Sequence, residues 1–325
     1  MTLASDLAHA VHGGDRRALS KAITLVESSR PEDGEAAREL LSLLTPVARP
    51  GFRVGVTGVP GAGKSTLIDA LGSRAIAGGR RVAVLAVDPS SRESGGSLLG
   101  DKTRMTRLSM EASAFIRPSP TRGVLGGTAG RTREVILLCE AAGHDLIFVE
   151  TVGVGQSEDR VASMVDCVLL VLLAGAGDEL SSMKRGVLEA ADVIVFNKAD
   201  GDRRTPTEAD AASLHSSLGI SRGNRVPEVL VSSAIEGLGV DRLWTTLLAY
   251  YEAAEGSGSL DLRRSGQRKA WLEAALDDAL HGIFARTPEL AHAFAAAEVE
   301  VQSGAVSALE AAQRLVTILL ERRGG

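Results

Sequence analysis

The octapeptide Gly58-Val-Pro-Gly-Ala-Gly-Lys-Ser65 constrains this chain more than any other feature. It fits the pattern G-x-x-x-x-G-K-[ST], and it lies between the strand-like segment Phe52 to Thr57 and a helical stretch. Glycines let backbone N–H groups turn inward around phosphate oxygens, and the N-terminus of the following helix adds positive partial charge. The sequence therefore predicts a phosphate-binding loop, or P-loop.

The individual positions of this loop have different expected roles. The predicted nucleotide contacts are Gly58, Pro60, Gly61, Ala62, Gly63, Lys64, Ser65 and Thr66. Among them, Lys64 is expected to reach the β- and γ-phosphates and to act in catalysis, and the Ser65 hydroxyl is expected to hold Mg²⁺.

Further strand-like runs alternate with helical stretches along the chain, which predicts an α/β fold. The runs are Arg81 to Val87, Leu146 to Glu150, Cys167 to Leu173, Val193 to Asn197 and Glu228 to Ser232. Such alternation is typical of a mostly parallel sheet with helices on both faces, and together with the P-loop it predicts a P-loop NTPase fold.

Helical segments flank this region on both sides. Apolar residues recur at helical spacing in residues 1–50 and again in 256–325, while Glu255-Gly-Ser-Gly-Ser259 is typical of a flexible junction. The sequence thus predicts an N-terminal helical extension (1–50), a nucleotide-binding domain (51–255) and a C-terminal helical segment (256–325).

The tetrapeptide Asn197-Lys-Ala-Asp200 indicates which base is bound. It follows an apolar strand, so it is expected at the carboxyl edge of the sheet, beside the P-loop. The Asp200 carboxylate can accept from both the ring N1–H and the exocyclic amine of guanine, whereas adenine offers no such pair of donors. Lys198 can lay its stem along the base plane, and Asn197 can tie neighbouring loops together.

A second base contact is expected after the last strand-like run. Ser232, Ser233 and Ala234 fit a loop whose backbone N–H contacts the guanine carbonyl oxygen. GTP and GDP are therefore the predicted ligands.

The apolar strand ending at Glu150 carries the residues expected near the γ-phosphate. Glu150 is followed by a glycine at Gly153, and it occupies the place of the Asp in the D-x-x-G motif of ordinary GTPases. It is the second expected metal ligand and a candidate for catalysis. Val154 stands where small GTPases often carry a glutamine, so intrinsic hydrolysis should be slow, although Gln156 lies nearby.

Two further polar segments can be reached from the phosphates. Asp88 follows the second strand, and Asp101 and Arg104 lie in Gly100-Asp-Lys-Thr-Arg104. Asp101 is a candidate for the Mg²⁺ shell, and Arg104 can offset charge on the transferring phosphoryl group.

Composition argues against several other classes of protein. Aromatic residues make up 3% of the chain, and the formal net charge is -5 without a dense Lys/Arg stripe, so nucleic-acid binding is not expected. No apolar run has the length of a membrane span, and Cys139 and Cys167 both lie in apolar, core-like runs. We expect a cytoplasmic protein without membrane contact.

At these motifs the chain resembles the MeaB/ArgK-type GTPases, chaperones associated with methylmalonyl-CoA mutase that include the human methylmalonic aciduria type A protein. The motifs that carry the resemblance are Thr57 to Thr66, Val87 to Ser91, Gly100 to Met105, Val149 to Glu158, Gly177 to Leu180 and Asn197 to Asp200. They span most of residues 51–240, and glutamate at position 150 is a trait of that family.

The resemblance implies more than the residues alone establish. It implies that Ser65, Asp101 and Glu150 surround Mg²⁺, that Asp88 acts near the γ-phosphate, and that Ala174 to Arg185 signals to the mutase. It also implies a homodimer formed through the C-terminal helices. The implied role is to gate adenosylcobalamin delivery to a B12-dependent acyl-CoA mutase, methylmalonyl-CoA mutase first of all, and to protect that mutase from inactivation. The stretch after Leu180 departs from the Gln-Gly-Ile of the family, which leaves the partner mutase open.

Three alternatives share parts of this pattern. A nickel metallochaperone GTPase needs clustered Cys or His, whereas the six histidines of this chain are scattered. An ArgK-like kinase of transport proteins needs an adenine pocket, which Asp200 argues against. A binding switch without turnover differs from a GTPase only in rate.

Overall fold

The computed structural model describes residues 2–28, 30, 32–48, 50–88, 105–120, 127–151, 161–175, 185–222 and 226–321 of the 325-residue chain. The chain divides after Gln267 into two compact units. The first unit contains the sheet and the predicted nucleotide site.

A seven-stranded sheet forms the centre of the first unit. The strands are β1 (Phe52–Gly58), β2 (Val82–Asp88), β3 (Ala114–Pro120), β4 (Leu146–Thr151), β5 (Cys167–Leu172), β6 (Val193–Phe196) and β7 (Glu228–Val231). Their order is β3-β2-β4-β1-β5-β6-β7, and every neighbouring pair is parallel. The parallel α/β fold predicted from the sequence is confirmed.

Helices cover the sheet on both faces, because successive strand residues point to opposite sides. Leu146 and Phe148 of β4 pack into one apolar cluster, whereas Ile147 and Val149 pack into the other. All six residues of β4 are buried, as expected for a central strand of a sheet that is covered by helices on both faces.

Two groups of helices pack against the two faces of the sheet. On the first face lie α4 (Lys64–Ala77), α5 (Thr106–Met110), α7 (Arg185–Ala190), α8 (Arg204–Arg222) and α9 (Val240–Gly256). On the second face lie α1 (Leu3–His12), α2 (Arg16–Glu27), α3 (Asp33–Leu44) and α6 (Gly127–Ala141). The N-terminal helices therefore belong to the core of the first unit.

Strand β3 has no counterpart among the strands predicted from the sequence. It contains Pro118 and Pro120, and proline disfavours strands because it cannot donate a ladder hydrogen bond. In the described sheet, β3 is an edge strand that pairs with β2. An edge strand tolerates prolines because one of its sides needs no partner.

The predicted flexible junction at residues 255–259 is a short hydrogen-bonded turn. Helix α9 ends at Gly256, helix α10 (Ser259–Arg286) begins three residues later, and the Gly258 N–H donates to the Glu255 carbonyl over 3.1 Å. Gly258 has a φ of +73°, which favours glycine at this position.

The first turns of α10 are bound to the edge of the sheet where its strands begin. Arg264 is buried and donates to both carboxylate oxygens of Asp166 and to the Gly51 carbonyl, and Arg263 pairs with Asp192. The predicted domain boundary lies at residues 255 and 256, whereas the compact units divide after Gln267.

The second unit is helical. It contains the remainder of α10, followed by α11 (Pro288–Gln302) and α12 (Ala308–Glu321). Ala297, Ala311 and Leu315 form its small buried cluster. Among the described residues of both units, no helix combines the length and apolar character needed to cross a bilayer.

Candidate functional site

The P-loop connects the end of β1 to the start of α4. Gly58 has a φ of +142°, and a Cβ atom there would lie 2.0 Å from the Val171 carbonyl oxygen on the neighbouring strand. Gly63 has a φ of +82°, and its Cβ would lie 2.7 Å from the Asn197 Nδ2 atom. Glycine is therefore required at both positions by backbone conformation and by close approach.

Lys64 is the first residue of α4 and lies folded back over the loop. Its side chain is buried, and Nζ donates to the carbonyl oxygens of Gly58 (2.9 Å) and Val59 (3.1 Å). Burial lowers the pKa of the Lys64 ammonium, and the nearby Glu150 carboxylate opposes this effect. The Lys64 ammonium group thus lies at the N-terminus of α4, where the free backbone amides of the helix and the positive charge of the lysine both attract anions.

Ser65 and Glu150 meet across two neighbouring elements. Glu150 lies near the end of β4, opposite Val56 of β1, and it is 4% exposed. Its Oε1 accepts a 2.7 Å hydrogen bond from the Ser65 hydroxyl. The parallel register of β1 and β4 therefore brings the strand-end acid directly to the P-loop helix.

Asn197 joins the two halves of the site. Its Nδ2 donates to the Ala62 carbonyl of the P-loop over 2.8 Å. Its Oδ1 accepts from the Ser232 hydroxyl and from the Ala234 N–H, both at 3.2 Å. One buried amide thereby connects the loops that follow β1, β6 and β7.

Asp200 and Ser233 are hydrogen-bonded to each other beside Asn197. The Ser233 hydroxyl donates to Asp200 Oδ1 and accepts from the Glu236 N–H. Lys198 has a φ of +62°, a left-handed conformation that is uncommon for a residue with a side chain. The loop between β6 and α8 is thus held in a specific turn beside the Ser233 loop.

The structure brings together the P-loop residues, Glu150, Asn197, Asp200 and the Ser232–Ala234 loop. Asp88 is the last residue of β2, and its side chain lies outside the described part of the chain. Asp101, Arg104, Gly153 and Gln156 also lie outside the described residues, as does 176–184 of the predicted signalling segment.

Sequence reasoning missed two contributors to the site. The Val59 carbonyl accepts from Lys64, and the Thr151 hydroxyl donates to the Thr57 hydroxyl over 3.1 Å between adjacent strands. The Val59 contact is made by a backbone carbonyl, so the type of side chain at that position does not indicate it. The threonine pair is visible only once the register of β1 and β4 is known.

A protein-family model described as "Methylmalonyl Co-A mutase-associated GTPase MeaB" matches residues 19–289. The chain belongs to the MeaB family of GTPases. The resemblance inferred from the motifs is confirmed, and the match extends beyond residues 51–240 into the helices at both ends.

Individual relatives agree with this assignment. GTPase ArgK of Escherichia coli is 46% identical over 276 residues, which cover 84% of this chain and 83% of ArgK. The mouse protein "methylmalonic aciduria type A homolog, mitochondrial" is 42% identical over 322 residues, covering 95% of this chain and 78% of that protein. This MeaB-family protein is accordingly a guanine-nucleotide-binding enzyme that hydrolyses GTP.

A solved structure supports the same fold. The crystal structure of a LAO/AO transport system kinase aligns with a TM-score of 0.74 and 34% identity, covering 98% of this chain and 97% of that chain. The P-loop NTPase fold expected for this MeaB-family chain is thereby confirmed.

Proposed function

We propose that this GTPase binds the triphosphate through the backbone amides of the P-loop and through Lys64, and that it recognises guanine through Asp200. The proposal is supported by two observations: Lys64 and Ser65 stand at the N-terminus of α4, and Asn197, which precedes Asp200 in the loop after β6, donates a hydrogen bond to Ala62 of the P-loop. A backbone N–H of the Ser232–Ala234 loop, which is hydrogen-bonded to Asn197, is proposed to meet the guanine carbonyl oxygen.

Mg²⁺ is the proposed cofactor of this site. The Ser65 hydroxyl and the Glu150 carboxylate converge within 2.7 Å, and oxygen donors of this kind are those that Mg²⁺ prefers. Asp101 is the proposed third contributor. Ser65 and Glu150 would hold the ion here, and its positive charge would offset the negative charge of the phosphates. Asp88 and Arg104 are proposed to act near the γ-phosphate.

Glu150→Gln tests the metal proposal. The amide keeps an oxygen that can accept from Ser65, but it lacks the negative charge that attracts a cation. The Mg²⁺ concentration for half-maximal GTP hydrolysis should rise about tenfold or more, because loss of one interaction with a charged group typically costs about 1.4 kcal/mol or more, which corresponds to a factor of ten. A magnesium titration of initial rates measures this.

The matched control for that titration is Glu35→Gln, an exposed glutamate in α3. It should leave the magnesium curve unchanged. Nucleotide affinity measured in EDTA should change little in either variant, and an unaltered magnesium requirement in Glu150→Gln would place the metal elsewhere.

We also propose that the protein is a chaperone for a B12-dependent acyl-CoA mutase, most directly methylmalonyl-CoA mutase. It would assist adenosylcobalamin loading and protect the mutase from inactivation. The description of the matched family names a mutase association, and the mouse relative's name refers to methylmalonic aciduria. Residues 174–185 are proposed to signal to the mutase, and a cytoplasmic location stays a prediction.

A nucleotide-controlled pull-down tests the chaperone proposal. Purified candidate mutases are offered to the protein in its GDP form and with a non-hydrolysable GTP analogue, and we expect at least one to bind to different extents in the two states. The Asp200→Asn variant, incubated with the same nucleotides at concentrations that fill the unmodified site but not the weakened one, serves as the control for guanine-dependent binding. No nucleotide-dependent binding to any B12-dependent mutase would contradict the proposal.

We further propose that the chain forms a homodimer through its C-terminal helices. In α10, the apolar side chains of Leu272, Leu276, Leu280 and Ile283 are between 37% and 70% exposed, and their spacing places them on one face. A continuous exposed apolar stripe is typical of an interaction surface. A monomeric mass in sedimentation equilibrium at micromolar concentration would contradict this assembly.

A further inference from the structure

Thr57 and Thr151 are buried threonines at the ends of strands β1 and β4, and the proposed function assigns no role to them. The two residues are 1% and 0% exposed. The Thr151 hydroxyl donates to the Thr57 hydroxyl over 3.1 Å and lies 3.5 Å from the Val56 carbonyl oxygen, which is also on β1. Two hydroxyl groups are thus paired inside the core, where a polar group without a partner is costly.

The threonine pair lies where β1 and β4 separate. The register of these two strands ends at Val56 and Glu150. One residue further along each strand, Thr57 still pairs with β5 and Thr151 still pairs with β2. The hydroxyl contact therefore joins the two strand ends at the position where their backbone pairing stops.

Each of these strand ends carries one part of the proposed metal site. Glu150 directly precedes Thr151, and it accepts from the Ser65 hydroxyl of the P-loop helix over 2.7 Å. Thr57 directly precedes Gly58, the first residue of the P-loop. The threonine pair thus joins the strand end that carries the acid to the strand end that carries the P-loop.

The Thr151 side chain itself points away from the proposed metal site. Adjacent residues of a strand point to opposite faces of the sheet. Glu150 lies on the face covered by α4, since it is hydrogen-bonded to Ser65 of that helix. Thr151 therefore points to the face covered by α6 and the N-terminal helices, and it can affect the metal only through the position of the β4 backbone.

Magnesium is sensitive to such a change in position. It requires a nearly ideal octahedral arrangement of oxygen ligands at about 2.0–2.1 Å. The two hydroxyl oxygens lie 3.1 Å apart, whereas aliphatic carbon atoms in contact are about 3.5–4.0 Å apart. Methyl groups in place of the hydroxyls would therefore move the ends of β1 and β4 apart by a few tenths of an ångström.

We propose that Thr57 and Thr151 are positioning residues for the metal site, because their hydrogen bond sets the distance between the end of β4, which carries Glu150, and the P-loop. This inference rests on the proposed Mg²⁺ site. The bond needs a hydroxyl at both positions, so serine can replace either threonine. Valine, which has nearly the same shape without the hydroxyl, cannot.

The experiment compares Thr151→Val and Thr151→Ser with the unmodified protein. It measures the Mg²⁺ concentration that halves the release rate of a fluorescent GDP analogue, and it measures GDP affinity in EDTA. Thr151→Val should raise that concentration about five- to tenfold, the size of one hydrogen bond between neutral groups, and Thr151→Ser should stay within about twofold of the original. GDP affinity in EDTA should change less than about twofold in both variants.

The double variant Thr57→Val/Thr151→Val separates positioning from stability. Each single valine leaves the other hydroxyl without its partner, so each should lower the temperature of thermal unfolding. With both hydroxyls replaced, the pair becomes apolar and thermal stability should recover toward that of the unmodified protein. The magnesium requirement should stay raised, because the methyl groups keep the strand ends apart. Recovery of the magnesium response together with stability would overturn the inference.

Thr207→Val is the matched control. Thr207 is 0% exposed, and its hydroxyl donates to the Arg203 carbonyl one turn earlier over 2.6 Å. The same substitution there should leave the magnesium response unchanged. If Thr151→Val does not fold, Thr57→Val takes its place with the same expected result.

The remaining outcomes separate this inference from the proposed metal site. An unchanged magnesium response in Thr151→Val would overturn the inference alone, as would equal impairment in Thr151→Ser. A fall in GDP affinity in EDTA as large as the change in the magnesium requirement would reduce the pair to a general structural role. An unmodified protein whose GDP release does not respond to Mg²⁺ would contradict the metal site itself.

Discussion

Replacement of Lys64 by alanine is expected to lower the rate of GTP hydrolysis by about 10²- to 10³-fold or more. Removal of a single donor that stabilises developing charge has an effect of this size in other enzymes. Lys64 is buried at the start of α4 and is held over the loop by the carbonyls of Gly58 and Val59. Phosphate release under saturating GTP measures the loss.

The control for this variant is Lys21→Ala, which removes an exposed lysine from α2. It should leave phosphate release unchanged. Thermal unfolding should show that Lys64→Ala remains folded, since its buried ammonium is replaced by an apolar methyl group. Turnover near the original rate in folded Lys64→Ala would mean that the reaction takes place at another site.

Asp200→Asn is expected to weaken GTP binding about 10²-fold or more and to create binding of xanthosine triphosphate. The carboxylate can accept from two guanine donors, whereas an amide presents a donor where xanthine has an oxygen. Leaving hydrogen-bonding groups unpaired at a charged site costs about 3 kcal/mol, equivalent to about 10²-fold in affinity. Calorimetric titration with both nucleotides measures the change.

The neighbouring Asp202→Asn is the matched control because Asp202 is exposed in the following turn. Its affinity for both nucleotides should stay at the original value. The asparagine at position 200 keeps an oxygen that can accept from Ser233, so the loop itself should persist. Unchanged GTP affinity in Asp200→Asn would overturn the base assignment, and ATP turnover equal to GTP turnover would favour the kinase alternative.

Most of the fold could be predicted because the sequence patterns that indicate its strands and helices are local. Long apolar runs such as β4 and β5 are typical of strands buried on both faces, and the P-loop fixes a strand before it and a helix after it. Strand β3 could not be recognised from the sequence because it contains prolines. A strand can contain prolines when it lies at the edge of a sheet, and that position is known only from the structure. The glycines and serines before α10 suggest a linker, but the buried contacts of Arg264 to Asp166 arise from residues far apart in the sequence.

The candidate site was predictable as a set of residues and less so as a set of contacts. Motif spacing predicted Lys64, Ser65, Asn197 and Asp200 as site residues, since each residue type is suited to its expected ligand, and the fold brings these four residues to the same edge of the sheet. The bond of Asn197 to Ala62 spans 135 positions, and it depends on β6 lying two strands from β1.

The amide of Asn197 has a consequence for the thermodynamics of nucleotide binding. Because it already joins the loop proposed to bind the phosphates to the loops proposed to bind the base, these segments are preorganised before any ligand binds. The conformational entropy of aligning them is lost during folding and need not be lost again on association. The distance between the proposed purine and phosphate subsites is accordingly set by the fold, which favours ligands whose length matches it.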